Sequence, residues 1–80
     1  MPTIESRIKD IMADLLAIKT EDIGDDSSYE SLGADSLDTV EIIMGIEDEF
    51  GIAIDDSEVE QLKTFAEVVA VVTKKIQAKE

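Results

Sequence analysis

Gly33-Ala34-Asp35-Ser36-Leu37-Asp38-Thr39-Val40-Glu41 is the stretch in which a polar connection turns into a helix. Asp35 has the short acidic side chain that caps a helix N-terminus. Asp38 falls in the first turn, where negative charge suits the helix dipole. Ser36 stands at the junction, where a hydroxyl points away from the helix and can be reached by another protein. No His, Cys or Lys lies near it in sequence to make it a nucleophile. The combination implies a serine that is acted upon.

Periodicity carries this helix over residues 36–50. At about 100° per residue, Ile42, Ile43, Ile46 and Phe50 form a core stripe. Leu37, Val40 and Met44 fall on the opposite side, among Glu41, Glu47 and Asp48. A small domain cannot bury both faces of a peripheral helix, so the second stripe is expected to be exposed as a docking surface. There Met44 would adapt to partners and the acids would attract basic ones. The alternative is that Leu37, Val40 and Met44 pack under the preceding connection. Gly45 costs about 1 kcal/mol relative to Ala in mid-helix, and the pattern gives no reason for it.

Upstream, residues 19–35 are rich in Asp, Ser, Gly and Glu, with Ile23, Tyr29, Leu32 and Ala34 as apolar anchors. A connection this long in a compact domain is functional or disordered, and the anchors predict that it packs over the core. It is not a calcium loop. Counting from Asp22 or Asp25, Ser27 or Glu30 occupies the position where an EF-hand needs glycine. Before it, Ile4, Ile8, Ile11, Met12, Leu15 and Ile18 predict an amphipathic helix over 4–18. Thr3 is its N-cap, and Arg7, Lys9, Asp10 and Asp14 lie mostly on the outer side.

Downstream, 51–55 is a break. Asp55 and Glu58 have capping spacing for a short helix over about 56–62, with Val59 and Leu62 as core contacts. Thr64 and Glu67 form a capping box for a last helix over 65–78. That helix buries Phe65, Val68, Val69, Val72 and Ile76, and Lys74, Lys75 and Lys79 suit its C-terminus. Its β-branched residues are poor helix formers, so packing must hold it. The expected fold is all-α: one domain over 1–80, a small four-helix bundle with three longer helices, one short, and a long first loop.

Composition narrows the function. Eighty residues leave little room for a deep catalytic cleft. Without Cys or His the chain has no disulfide, no thiolate, and neither the commonest metal ligand nor the commonest general base. No catalytic pair and no dedicated metal site are visible. The net charge is −13, which excludes binding to a nucleic-acid backbone. Fifteen acids and no base fall within residues 21–60, while all seven bases lie outside. That anionic surface is suited to basic patches on other proteins. The start of the chain has no signal-peptide pattern and no window resembles a membrane span. A monomer in the cytoplasm, without membrane insertion, is expected.

The run 33–41, followed by Met44 and Glu47-Asp48-Glu49-Phe50, closely resembles the acyl carrier proteins of dissociated (type II) fatty acid synthesis. Length, helix order, acidity and the long first loop extend the resemblance over essentially the whole chain. It implies a carrier and not a catalyst. Ser36 would be esterified by a phosphopantetheinyl transferase, which moves 4′-phosphopantetheine from coenzyme A. The arm's thiol would then hold growing acyl chains as thioesters for basic-surfaced enzymes of fatty acid synthesis. Docking would map onto Asp35, Leu37, Asp38, Val40, Glu41, Met44, Glu47 and Asp48, and acyl shelter onto residues such as Ile46, Val59, Leu62 and Val68. The family often has a proline before the third helix, where this chain has Ile54-Asp55-Asp56. The competing expectations are a carrier of polyketide or other specialised acyl or aminoacyl cargo, and an unmodified acidic interaction module.

Overall fold

Four helices follow one another in the computed structural model, which describes residues 3–79. They are α1 (Ile4–Leu16), α2 (Ser36–Phe50), α3 (Asp56–Gln61) and α4 (Phe65–Lys79). The described residues contain no strand; one isolated antiparallel bridge joins Ser28 to Thr64. The all-α expectation holds, with three long helices and a short third one. Met1, Pro2, Glu80 and the side chain of Lys79, whose charge was assigned to the end of the last helix, lie outside the description.

α1 begins where Thr3 caps it. The Ser6 N–H donates to Thr3 Oγ1 at 3.1 Å and the Thr3 N–H to Ser6 Oγ at 2.9 Å. The helix ends sooner than the periodicity predicts, because Ala17 takes left-handed angles (φ 55°, ψ 44°). Its N–H and that of Ile18 both donate to the Ala13 carbonyl, tying off the last turn. Ile18 therefore packs on the core from beyond the helix. Leu15, expected in the core stripe, is 40% exposed. The buried sector is turned toward Met12 and Ala13, which leaves Leu15 on the rim.

α1 and α2 run antiparallel, and Gly45 marks their close approach. A Cβ there would stand 3.2 Å from Ile11 Cγ2 and 4.0 Å from Leu15 Cδ1. At the far end Arg7, expected on the solvent side, reaches across to α2. Its Nη2 and Nε donate to Glu49 Oε2 at 2.6 and 3.0 Å, and the guanidinium lies 4.4 Å from the Phe50 ring centroid. Cation–π stacking and a charged hydrogen bond thus pin the two ends together.

The core is apolar throughout. Ile8, Met12, Ile42, Ile46, Phe65, Val68 and Val72 are almost fully buried, and among the described residues no polar or charged one is buried with them. The long connection is fastened rather than loose. It contains a 3-10 turn over Thr20–Asp22 and inserts Ile23 into the core. The Ser27 and Asp25 carbonyls accept from the Phe65 and Ala66 N–H groups at 2.9 and 3.2 Å. Those are N–H groups of the first turn of α4, which have no partner inside their own helix. α4 is also capped as predicted, with the Glu67 N–H on Thr64 Oγ1 at 3.4 Å and the Thr64 N–H on Glu67 Oε1 at 3.2 Å.

Candidate functional site

The loop hands the chain to α2 through two turns. Ser28 and Ser31 cap each other, the Ser31 N–H donating to Ser28 Oγ at 3.1 Å and the Ser28 N–H to Ser31 Oγ at 2.9 Å. The Ala34 N–H then closes on the Tyr29 carbonyl at 2.8 Å. Gly33 turns the chain with φ 79°, a left-handed conformation that L side chains adopt only under strain. Asp35 follows in extended conformation as the N-cap.

Asp35 and Asp38 form a reciprocal box. The Asp38 N–H donates to Asp35 Oδ1 at 2.9 Å and the Asp35 N–H to Asp38 Oδ2 at 3.2 Å. Both carboxylates are thereby drawn onto the backbone on either side of Ser36. Ser36 is the first residue of α2 and is exposed, and its hydroxyl makes no hydrogen bond among the described residues. The N–H groups of Ser36 and Leu37 also lack partners among the described residues, as expected for the first positions of a helix. A hydroxyl held on a rigid turn, unengaged and open to solvent, suits covalent attachment of a phosphate-bearing group.

The opposite side of α2 is bare. Leu37, Val40 and Met44 are 74%, 52% and 58% exposed, so they do not pack under the loop. Glu41 and Asp48 are exposed beside them, as is Asp35, and Asp38 is half-buried. Glu47 is different. Its Oε2 accepts from the Ile54 N–H at 2.9 Å, and its carbonyl accepts from the Gly51 and Ile52 N–H groups at 2.8 and 3.2 Å. One residue therefore ties the C-terminus of α2 to the segment that leads into α3. The periodicity places Glu47 on the face but carries no sign of this second role.

Between the loop, α2 and α3 lies a cavity of about 490 Å³, lined among others by Tyr29, Thr39, Val59, Leu62 and Lys63. Of the residues expected to shelter a chain, Val59 and Leu62 line it. Ile46 and Val68 are fully buried in the core. Thr39, one turn along α2 from Ser36, belongs to the cavity and was not singled out by the sequence. Burial pushes the Tyr29 phenol up to about 12. On α3, Glu58 is held below the usual carboxylate value by its hydrogen bond from Lys75, at 2.9 Å, and by the Asp55 N–H. Among the described residues no three acids converge to hold a metal ion, and no helix is long and apolar enough to cross a membrane.

The sequence profile of the phosphopantetheine attachment site family matches residues 6–72. The chain belongs to that family. Its cofactor is therefore 4′-phosphopantetheine, and as a member it is a carrier domain, not an enzyme. Solved structures agree in fold. A crystal structure of an acyl carrier protein from Thermotoga maritima is similar with a TM-score of 0.83 at 24% identity, covering 94% of this chain and 88% of that one. The solution structure of the oxytetracycline acyl carrier protein is similar with a TM-score of 0.79 at 19% identity, covering 100% of this chain and 87% of that one. The phosphopantetheine-carrier fold thus accounts for the four helices and for the long first loop.

Proposed function

We propose that the protein is an acyl carrier of type II fatty acid synthesis, with Ser36 as the attachment point of its arm. The observation that carries this is the exposed Ser36 hydroxyl, unengaged at the first turn of α2 in a chain that belongs to the phosphopantetheine attachment site family. In the loading step Ser36 Oγ attacks the β-phosphorus of coenzyme A. The P–O bond to the α-phosphate breaks, and 3′,5′-bisphosphoadenosine leaves. The serine proton passes to a base on the transferase, since this chain contains no His. The bound arm supplies the thiol that the chain lacks, and acyl groups ride on it as thioesters.

α2 then serves as the address. Leu37, Val40 and Met44 form the apolar ridge, and Asp35, Asp38, Glu41, Glu47 and Asp48 give it a negative rim. Basic-surfaced enzymes in the cytoplasm dock there, steered by charge and seated by the ridge. The polar side chains that line the cavity, among them Ser28, Thr39 and Lys63, favour a second reading in which the cargo is a polyketide-type chain. Intact mass of the protein from its own cells tests the choice. Masses of the arm with fatty acyl intermediates are expected. Polyketide or aminoacyl masses overturn the pathway, and native protein with no arm at all overturns the carrier.

A further inference from the structure

Arg7 shows what the outer edge of the seam between α1 and α2 can hold. Its guanidinium donates to Glu49 Oε2 at 2.6 and 3.0 Å and lies 4.4 Å from the Phe50 ring centroid. A charge pair and an apolar contact thus act on one side chain. One turn further along α1, a Cβ at Gly45 would stand 3.2 Å from Ile11 Cγ2. Positions 7 and 49 are therefore level with each other, and so are 11 and 45. The helices run antiparallel, and a step of four residues is about one turn of each. The next step brings Leu15 level with Glu41.

At that level the arrangement lacks its cation. Glu41 is exposed, and its carboxylate makes no hydrogen bond or ion pair among the described residues. Leu15 reaches toward Gly45, its Cδ1 4.0 Å from where a Cβ would be, yet it is 40% exposed. Ile8, Met12, Ile42 and Ile46 fill the inner edge of the seam and are almost fully buried. The open part of Leu15 is therefore on the outer edge. On α2, Leu37 and Met44 flank Glu41 at four residues before and three after, the spacings of neighbours on a helix surface. Both are more than half exposed. An unpaired carboxylate thus stands between apolar walls that belong to two helices.

We propose that docking crosses the seam onto α1, where Leu15 closes a slot over Glu41 that seats one arginine of the partner. The guanidinium pairs with Glu41, and its methylene stem lies between Leu15 and Met44, much as Arg7 combines Glu49 with Phe50. Arginine suits such a slot because its stem covers apolar surface while its planar head meets a carboxylate. The partner that fits carries an arginine on the rim of an apolar hollow wide enough for two helices. Leu15 is then a specificity-determining residue. This inference rests on Ser36 as the point of attachment and on α2 as the address beside it.

The probe is a phosphopantetheinyl transferase with arginines on its docking surface, acting with coenzyme A on native protein, Leu15→Ala, Glu41→Gln and the double variant. Intact mass follows the rate of arm attachment, and circular dichroism checks that each variant is folded. Each single change is expected to raise KM about three- to tenfold, the worth of part of one apolar or charged contact. The kcat should stay as it was, since the turn that holds Ser36 is untouched. The double variant should fall little below the weaker single one, because both residues act on the same arginine. A native KM for Leu15→Ala overturns the inference, since α1 then takes no part. Effects that multiply in the double variant also overturn it, because Leu15 and Glu41 would then meet separate groups. Failure of the native chain to take any arm overturns the carrier reading itself, and this inference with it.

Discussion

Replacing Glu47 by Ala removes the acceptor that holds the Ile54 N–H at 2.9 Å, in a part-buried position. A hydrogen bond to a charged group contributes roughly 1.5–3 kcal/mol, and leaving its buried partner unpaired costs a similar amount. In a domain of this size each kcal/mol corresponds to about 4–8 °C in Tm, so Glu47→Ala is expected to melt roughly 6–24 °C lower. Two effects run the other way. Ala is the better helix former, and one negative charge fewer relieves a chain of net charge −13. Asp48→Ala shares both effects, because Asp48 is the exposed neighbour and its side chain makes no hydrogen bond among the described residues. The difference between the two variants isolates the tie to Ile54. Glu47→Gln keeps an acceptor oxygen and should lose much less. Thermal and urea unfolding followed by circular dichroism measure all three. If Glu47→Ala and Asp48→Ala melt together, the carboxylate does not hold the segment before α3, and Glu47 is left as one acid of the α2 surface.

The single tyrosine of the chain gives a clean alkaline titration. Its folded pKa, raised by burial to about 12 from 10.0, means that its contribution to stability is fully present below pH 10 and lost as pH rises toward 12. Phenolate absorbance of the native protein should therefore lag that of the urea-unfolded protein, and coincident curves would contradict the buried hydroxyl. Added salt should raise the melting temperature by screening the acids crowded between residues 21 and 60. A scan in sodium chloride that leaves Tm flat or lowers it would show that self-repulsion is not limiting.

α2 was legible because everything that defines it is local. Asp35 and Asp38 cap it from adjacent positions, and the 3.6-residue period separates Ile42, Ile43 and Ile46 from Leu37, Val40 and Met44. The second stripe is exposed because a small domain covers only one face of a peripheral helix. The clamps were illegible because they join distant residues. Nothing in the order of residues shows Arg7 reaching Glu49 and Phe50, or the Ser27 carbonyl accepting from Phe65. Gly45 signals a cost in sequence, and only the approach of Ile11 supplies its reason. Ala17 ends α1 in a conformation usually taken by glycine, so the periodic pattern runs past the true end. Glu47 shows how one residue can satisfy a surface pattern and still be engaged with the backbone.

Ser36, as the proposed attachment point of the arm, is open to direct measurement. Purified protein incubated with coenzyme A and a phosphopantetheinyl transferase, alongside a known carrier as control, tests it by intact mass. One arm on the native chain and none on a Ser36→Ala variant of unchanged circular dichroism is the expected result. An unmodified native chain where the control is modified, or an arm on Ser36→Ala, would contradict it.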